Sequence, residues 1–204
     1  MNKKIKLSVL IGIVLIIVVG ISGCSTKKDQ GMDLTSGNQS IDENVEETTD
    51  NKQEVGSIRL PAFNLKDLEG NDVSSDIFND YDMTIVSIWQ STCGPCMDEL
   101  KALNVIYDEY KDRGVNVIGI SVDNVEVMGD EGVKKIGEIL ELKFTNVIAD
   151  SDYLAELVNY VEGTPTAFIL GEEGQFLMKP RVGTNGTEKD VEAFRSIIEE
   201  IILK

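Results

Sequence analysis

Two thiols stand three positions apart in Trp89-Gln90-Ser91-Thr92-Cys93-Gly94-Pro95-Cys96. An apolar run rich in β-branched residues, Thr84-Ile85-Val86-Ser87-Ile88-Trp89, leads into them, and an amphipathic helical pattern follows at once. Strand, Cys-x-x-Cys, helix is an arrangement suited to dithiol/disulfide exchange. At the first turn of a helix, unpaired backbone N–H groups and the positive end of the dipole favour a thiolate. Thiols in such positions have pKa values of roughly 3.5 to 7.5. Cys93, at the exposed end of the turn, is the expected nucleophile. Cys96, one turn inside, is the expected resolving thiol, which attacks the mixed disulfide and releases the reduced partner. Pro95 falls near the helix start, where a missing N–H costs little. The chain shows no other cofactor motif, so the redox-active disulfide Cys93–Cys96 is the expected redox centre.

Other uses of a Cys-x-x-Cys need residues that this chain lacks. It has 3 cysteines and 0 histidines. A four-ligand zinc site would have to recruit carboxylates, so no metal is expected. Cys–His and Ser–His–Asp catalysis are excluded for the same reason. The third cysteine, Cys24, closes a leader. Lys3, Lys4 and Lys6 precede an apolar run from Leu7 to about Ile21, and Ile21-Ser22-Gly23-Cys24 follows. This resembles a bacterial lipoprotein signal, in which residues 1–23 are removed and the Cys is lipidated. An uncleaved anchor is the alternative, because the run is near the lower limit for spanning a bilayer. The small residues and the Cys at the cleavage position favour the lipoprotein. Either way the domain is expected at the outer face of the cytoplasmic membrane. A diacylglyceryl group supplies two acyl chains, enough for stable anchoring.

The 204 residues include 19 Lys+Arg against 36 Asp+Glu, a net charge of −17. Nucleic acid and anionic headgroups would be repelled by such a chain, so no nucleic-acid partner is expected. Removing the leader takes away three lysines and no acid, which leaves the rest more negative still. Residues 24–57 comprise the lipidated Cys and a polar, acidic stretch with almost no apolar periodicity, as in Asp42-Glu43-Asn44-Val45-Glu46-Glu47. Such a segment cannot bury enough apolar surface to fold and is expected to be a disordered tether.

The folded domain is expected over residues 58–204. Arg59 to Leu65 reads as an extended segment, 67–72 as a turn, and Val73 as the start of a short return, together a hairpin. Met83 to Trp89 reads as a strand covered on both faces. From Pro95 to Arg113 the apolar positions Cys96, Leu100, Leu103, Ile106, Tyr107 and Tyr110 form a helical stripe that Gly114 closes. Val115 to Val122 is a second buried strand, giving a right-handed parallel unit. A polar stretch over 123–132 precedes a helix marked by Val133, Ile136, Ile139 and Leu140. Phe144 to Ala149 reads as a strand, Tyr153 to Tyr160 as a helix and Thr166 to Leu170 as a strand. The loop 171–174 and the segment Gln175 to Met178 complete a hairpin. Thr187 starts a last helix, with Asp190 placed as a capping-box acid. The fold class is therefore α/β, a mixed sheet flanked by helices.

This order, with Trp-x-x-x-Cys-Gly-Pro-Cys and the later Gly163-Thr164-Pro165-Thr166, resembles the thioredoxin fold over residues 58–204. The N-terminal hairpin and the central insertion before Thr164 resemble the TlpA/ResA-like branch, whose members are membrane-anchored thiol–disulfide oxidoreductases. Cys93-x-x-Cys96-x-x-Glu99 is also similar to that branch, though Leu100 stands where a Pro commonly follows the glutamate.

The resemblance implies a cis peptide before Pro165, which would face the dithiol while Thr164 offers backbone hydrogen bonds to an extended substrate. It implies that Trp89, Gly94 and Pro95 border the substrate, with ordinary core packing the alternative for Trp89. Thioredoxins proper carry a buried Asp where this chain has Ser87. A serine is no base at neutral pH, so proton transfer from Cys96 would fall to Glu99, unless Glu99 is a solvated surface acid. The expected partners are protein thiols and disulfides and a thiol-reducing membrane electron donor. A binding or docking lipoprotein on the same fold is the competing reading. A peroxiredoxin needs a Thr and a Pro where this chain has Gln90 and Val86.

Overall fold

The computed structural model describes residues 56–202. The expected leader, Cys24 and most of the tether lie outside the described residues.

Seven strands form one mixed sheet: β1 Asn64–Asp67, β2 Asp72–Ser74, β3 Met83–Trp89, β4 Val115–Ser121, β5 Thr145–Ile148, β6 Thr166–Leu170 and β7 Arg181–Val182. Their spatial order is β2-β1-β5-β4-β3-β6-β7. Five α-helices accompany them among the described residues: α1 Gly94–Tyr110, α2 Val125–Met128, α3 Glu131–Ile139, α4 Ser151–Leu157 and α5 Thr187–Ile202. Every residue of β3 and β4 is buried, as a strand covered on both faces requires. β3 runs parallel to β4 and antiparallel to β6.

Alternation along β3 sends its side chains to two cores. Met83, Ile85 and Trp89 pack with Leu100, Leu103 and Ile106 of α1, Val133 of α3 and Phe194 and Ile198 of α5. Val86 and Ile88 pack on the other face with Phe63, Phe78, Tyr153 and Leu157. This is the α/β, thioredoxin-like mixed sheet with flanking helices that the element order predicts.

The N-terminal hairpin is present, with Leu65 opposite Val73. It is part of the main sheet, because β1 also pairs antiparallel with β5. The chain between β4 and Thr164 builds α2, α3, β5 and α4. Helix α1 ends where expected: a 3-10 turn over Lys111–Arg113 leads into Gly114, whose φ of 76° is left-handed.

Three local expectations are corrected. A short helix, α2, forms within the stretch read as merely polar. Gln175–Met178 is no strand: only a Leu170–Phe176 bridge and a Leu177 N–H to Ile169 carbonyl bond tie it to β6. The strand that does continue along β6 is β7, with Arg181 opposite Ala167. Pro180, with no N–H to give a ladder, precedes it. Asp190, expected as a capping-box acid for Thr187, is wholly buried and takes other partners. It accepts bonds from the Asn185 N–H (3.2 Å) and Arg181 (2.9 Å), and from the Thr184 hydroxyl.

Candidate active site

Strand β3 delivers the chain to the carboxyl end of the sheet, and the turn 90–92 reverses it into α1. Cys93 is the N-cap of that helix, in extended conformation (φ −89°, ψ 101°), with Pro95 in the first turn. Its sulfur accepts the Cys96 N–H at 3.2 Å, the bond a capping oxygen usually takes. The structure is the oxidised state, with Cys93 and Cys96 joined. Cys93 is half-buried and flanked by exposed Thr92, Gly94 and Pro95, whereas Cys96 has no exposed surface. Only the first sulfur can be reached from outside.

The loop before the dithiol is tied down by a residue that the sequence did not single out. Asp123, just beyond β4, accepts the Ser91 N–H at 2.8 Å and the Ser91 hydroxyl at 2.5 Å. It also accepts the Ser121 hydroxyl at 2.8 Å. Its position at the carboxyl end of a parallel strand, where α/β sheets gather their sites, was the available signal.

Across from Cys93 lies the Thr164–Pro165 peptide, which is cis. The Thr164 carbonyl oxygen is 3.7 Å from Cys93 Sγ. A disulfide sulfur has no proton, so this is a contact in the oxidised state and a position for a thiol to donate in the reduced one. Pro165 is held from behind: its carbonyl accepts the Gly183 N–H at 2.8 Å. The Thr166 hydroxyl donates to the Gly163 carbonyl at 2.7 Å. Cys93, Gly94, Pro95 and Thr164 thus share one accessible face, with Cys96 and Pro165 buried behind it.

Trp89 does not share it. Its side chain is wholly buried, in the same core as Cys96. It therefore offers no surface to a substrate and packs beneath the disulfide, because its place in the β3 alternation points it at α1.

Glu99 is buried to 0 % exposure on the inner side of α1, one turn beyond Cys96. Its Oε1 accepts the Ser87 hydroxyl at 2.7 Å, and its Oε2 has no partner. Burial pushes its pKa up to about 7, against the opposing pull of the Ser87 hydrogen bond and of Arg181; Asp190 adds to the rise. A solvated surface acid is thereby ruled out. The carboxyl beneath the dithiol changes charge near neutral pH, where a group that exchanges a thiol proton is most useful. The family resemblance marked Ser87, and the resemblance with the Cys96-x-x-Glu99 spacing marked Glu99. Neither gave a hint of Arg181, on the edge strand β7, or of Asp190, on α5.

Residues 57–176 match the AhpC/TSA family. The chain belongs to the AhpC/TSA family. Among its relatives in sequence, the thiol-disulfide oxidoreductase ResA of Bacillus thuringiensis subsp. konkukian is 26% identical over 132 residues, spanning 65% of this chain and 72% of the relative. The sporulation thiol-disulfide oxidoreductase A of Bacillus subtilis is 29% identical over 131 residues, spanning 64% of this chain and 76% of the relative. The crystal structure of the Bacillus subtilis protein StoA superposes with a TM-score of 0.52 at 26% identity, over 65% of this chain and 96% of that one. The solution structure of a thiol:disulfide interchange protein from Bacteroides sp. gives a TM-score of 0.58 at 25% identity, over 72% of this chain and 89% of that one. Within the AhpC/TSA family this chain is thus a thiol–disulfide oxidoreductase of the ResA/StoA type, and Cys93 and Cys96 are its Cys-x-x-Cys pair.

Proposed function

We propose that the protein is a lipid-anchored reductase of disulfides in envelope proteins, working at the outer face of the cytoplasmic membrane. The observation that carries the catalytic part is the buried Glu99, one turn behind a dithiol whose outer sulfur alone is accessible. The leader ending in Cys24 supports the location.

In the reduced protein the Cys93 thiolate attacks one sulfur of the substrate disulfide. One S–S bond breaks, a mixed disulfide forms and the first substrate thiolate leaves. Cys96 gives its proton to the Glu99 carboxylate, and the resulting thiolate attacks Cys93 Sγ. The second substrate thiolate leaves and the Cys93–Cys96 disulfide remains. Two electrons have passed to the substrate, whose thiolates take protons from solvent. A thiol-reducing donor in the membrane restores the dithiol, with Glu99 returning the proton to Cys96. Thr164 and Pro165 hold the substrate backbone beside Cys93, with Gly94 and Pro95 forming the opposite lip. Cys-Gly-Pro-Cys is similar to the dithiols of reducing family members, as opposed to strongly oxidising ones. Substrates of the fitting kind include the haem-binding cysteine pair of an apocytochrome c and an oxidised methionine sulfoxide reductase.

The test is covalent trapping. With Cys96→Ala the second attack is lost, so mixed disulfides through Cys93 accumulate in cells and identify the substrates. Cys93→Ser yields neither trapping nor insulin reduction. Persistence of both in Cys93→Ser would leave a binding lipoprotein with an incidental dithiol as the correct reading.

A further inference from the structure

The register of the sheet places five residues in one transverse row. Arg181 of β7 is opposite Ala167 of β6, Ala167 is opposite Ser87 of β3, Ser87 is opposite Gly119 of β4, and Gly119 is opposite Asn146 of β5. In-register neighbours point to the same face. Ser87 bonds Glu99 at 2.7 Å, so this face is the one that α1 covers. Between Ser87 and Arg181 stands only the methyl group of Ala167. A long guanidinium from the sheet edge can therefore lie along the row toward Glu99.

Arg181 is built into that position. Its side chain is 17% exposed and pairs at 2.9 Å with Asp190 of α5, which is 0% exposed. Its guanidinium carbon lies 4.6 Å from the centre of the Phe194 ring. The hydroxyl of Thr184 and the backbone of Asn185 fix Asp190 in turn. Nη1 of Arg181 is buried without a partner, as is Oε2 of Glu99. A buried ion pair is a poor device for stability alone, since its desolvation offsets most of the attraction.

We propose that the Arg181–Asp190 pair is a positioning element for the exchange reaction, one that holds a balanced charge beside Glu99 and sets how readily Glu99 takes the Cys96 proton. The inference rests on the reading of Glu99 as proton acceptor. A lone guanidinium would keep Glu99 ionised, and a lone carboxylate would keep it protonated; the pair leaves it able to do both near neutrality. The other groups facing Glu99 are few. Its own helix contributes Cys96, and β3 contributes the Ser87 hydroxyl. Strands β4 and β6 carry no charged residue. The charged residues of α3 are exposed, and Asp190 is the one buried charged residue of α5.

The experiment uses the full reduced chain and an aromatic disulfide that releases a coloured thiolate. Release of the second coloured thiolate reports attack by Cys96, and its rate is followed against pH. The Glu99 carboxyl is titrated in parallel by carbon-13 NMR. Arg181→Gln removes the positive charge and keeps a hydrogen-bonding side chain, so both inflections move up by about one pH unit. Asp190→Asn removes the negative charge and keeps its bond to Arg181, so both inflections move down. Each variant is decisive alone through its sign, so the test survives if one of them fails to fold. Arg181→Lys keeps the charge and is expected to stay close to wild type.

Inflections that stay put in the variants, or that move in the same direction in both, overturn the inference. Glu99→Gln separates the two levels of the argument. If its rate profile keeps the wild-type inflection, the reading of Glu99 has failed. If that inflection vanishes while Arg181→Gln and Asp190→Asn leave theirs in place, the role of Arg181 has failed.

Discussion

At the scale of single residues, the dithiol is governed by what surrounds its inner sulfur. Cys96 and Glu99 are both wholly buried, one helical turn apart, and the proposed mechanism has the proton that leaves Cys96 pass to Glu99. This arrangement also has a cost in stability. The folded protein holds the Glu99 proton to about pH 7, against 4.5 for an ordinary glutamate. The unfolded chain therefore releases it at lower pH, and stability falls as pH rises from about 4.5 to 7. Glu99→Gln removes that dependence while keeping an acceptor for Ser87. The variant is expected to match wild type below pH 4.5. Above neutrality it gains up to about 3 kcal/mol. Denaturant unfolding at several pH values measures this, and a constant difference across pH would refute it. The same variant should slow Cys96 attack by about 10²-fold or more, the usual size of a lost general base. Cys93, Cys96 and Glu99 were legible because their relation is local spacing, and Ser87 because it stands where the family resemblance places a buried Asp. Asp123, Arg181 and Asp190 were not, because burial and cross-strand register bring them in from distant parts of the chain.

At the scale of elements, the sheet face beneath α1 depends on close packing of its own side chains. Gly119 stands in the row beneath that helix, and a Cβ there would lie 1.9 Å from Asn146 Oδ1 and 2.9 Å from Trp89 Nε1. Both side chains are buried, with little room to give. Gly119→Ala is expected to destabilise the fold by about 1–3 kcal/mol. An unfolding midpoint equal to wild type would show that Asn146 and Trp89 swing aside freely. The long elements were legible, the helices α1 and α5 from their apolar periodicity and the strands β3, β4 and β6 from their runs of apolar and β-branched residues. Helix α2 spans only Val125–Met128, too short for a period to show. β7 was missed because a two-residue strand has no pattern of its own; its identity comes from its pairing with Thr166 and Ala167.

At the scale of the whole molecule, the sheet ends on short strands: β2 has 3 residues and β7 has 2. Short edges offer little template for pairing with another chain. Among the described residues no helix is long and apolar enough to cross a membrane. The proposed location therefore rests on the leader and its Cys24. Cys24→Ala should leave the purified domain's disulfide exchange unchanged and move the protein from the membrane fraction to the soluble one. Retention in the membrane would assign the apolar run of the leader as an uncleaved anchor. The placement of Trp89 carries a further consequence. It is the chain's 1 tryptophan, and it packs in the core that holds Cys96. A disulfide drains the excited state of a nearby indole, and a dithiol drains it less. The emission of this protein is therefore an internal gauge of its oxidation state, readable without dye or label as electrons pass through it.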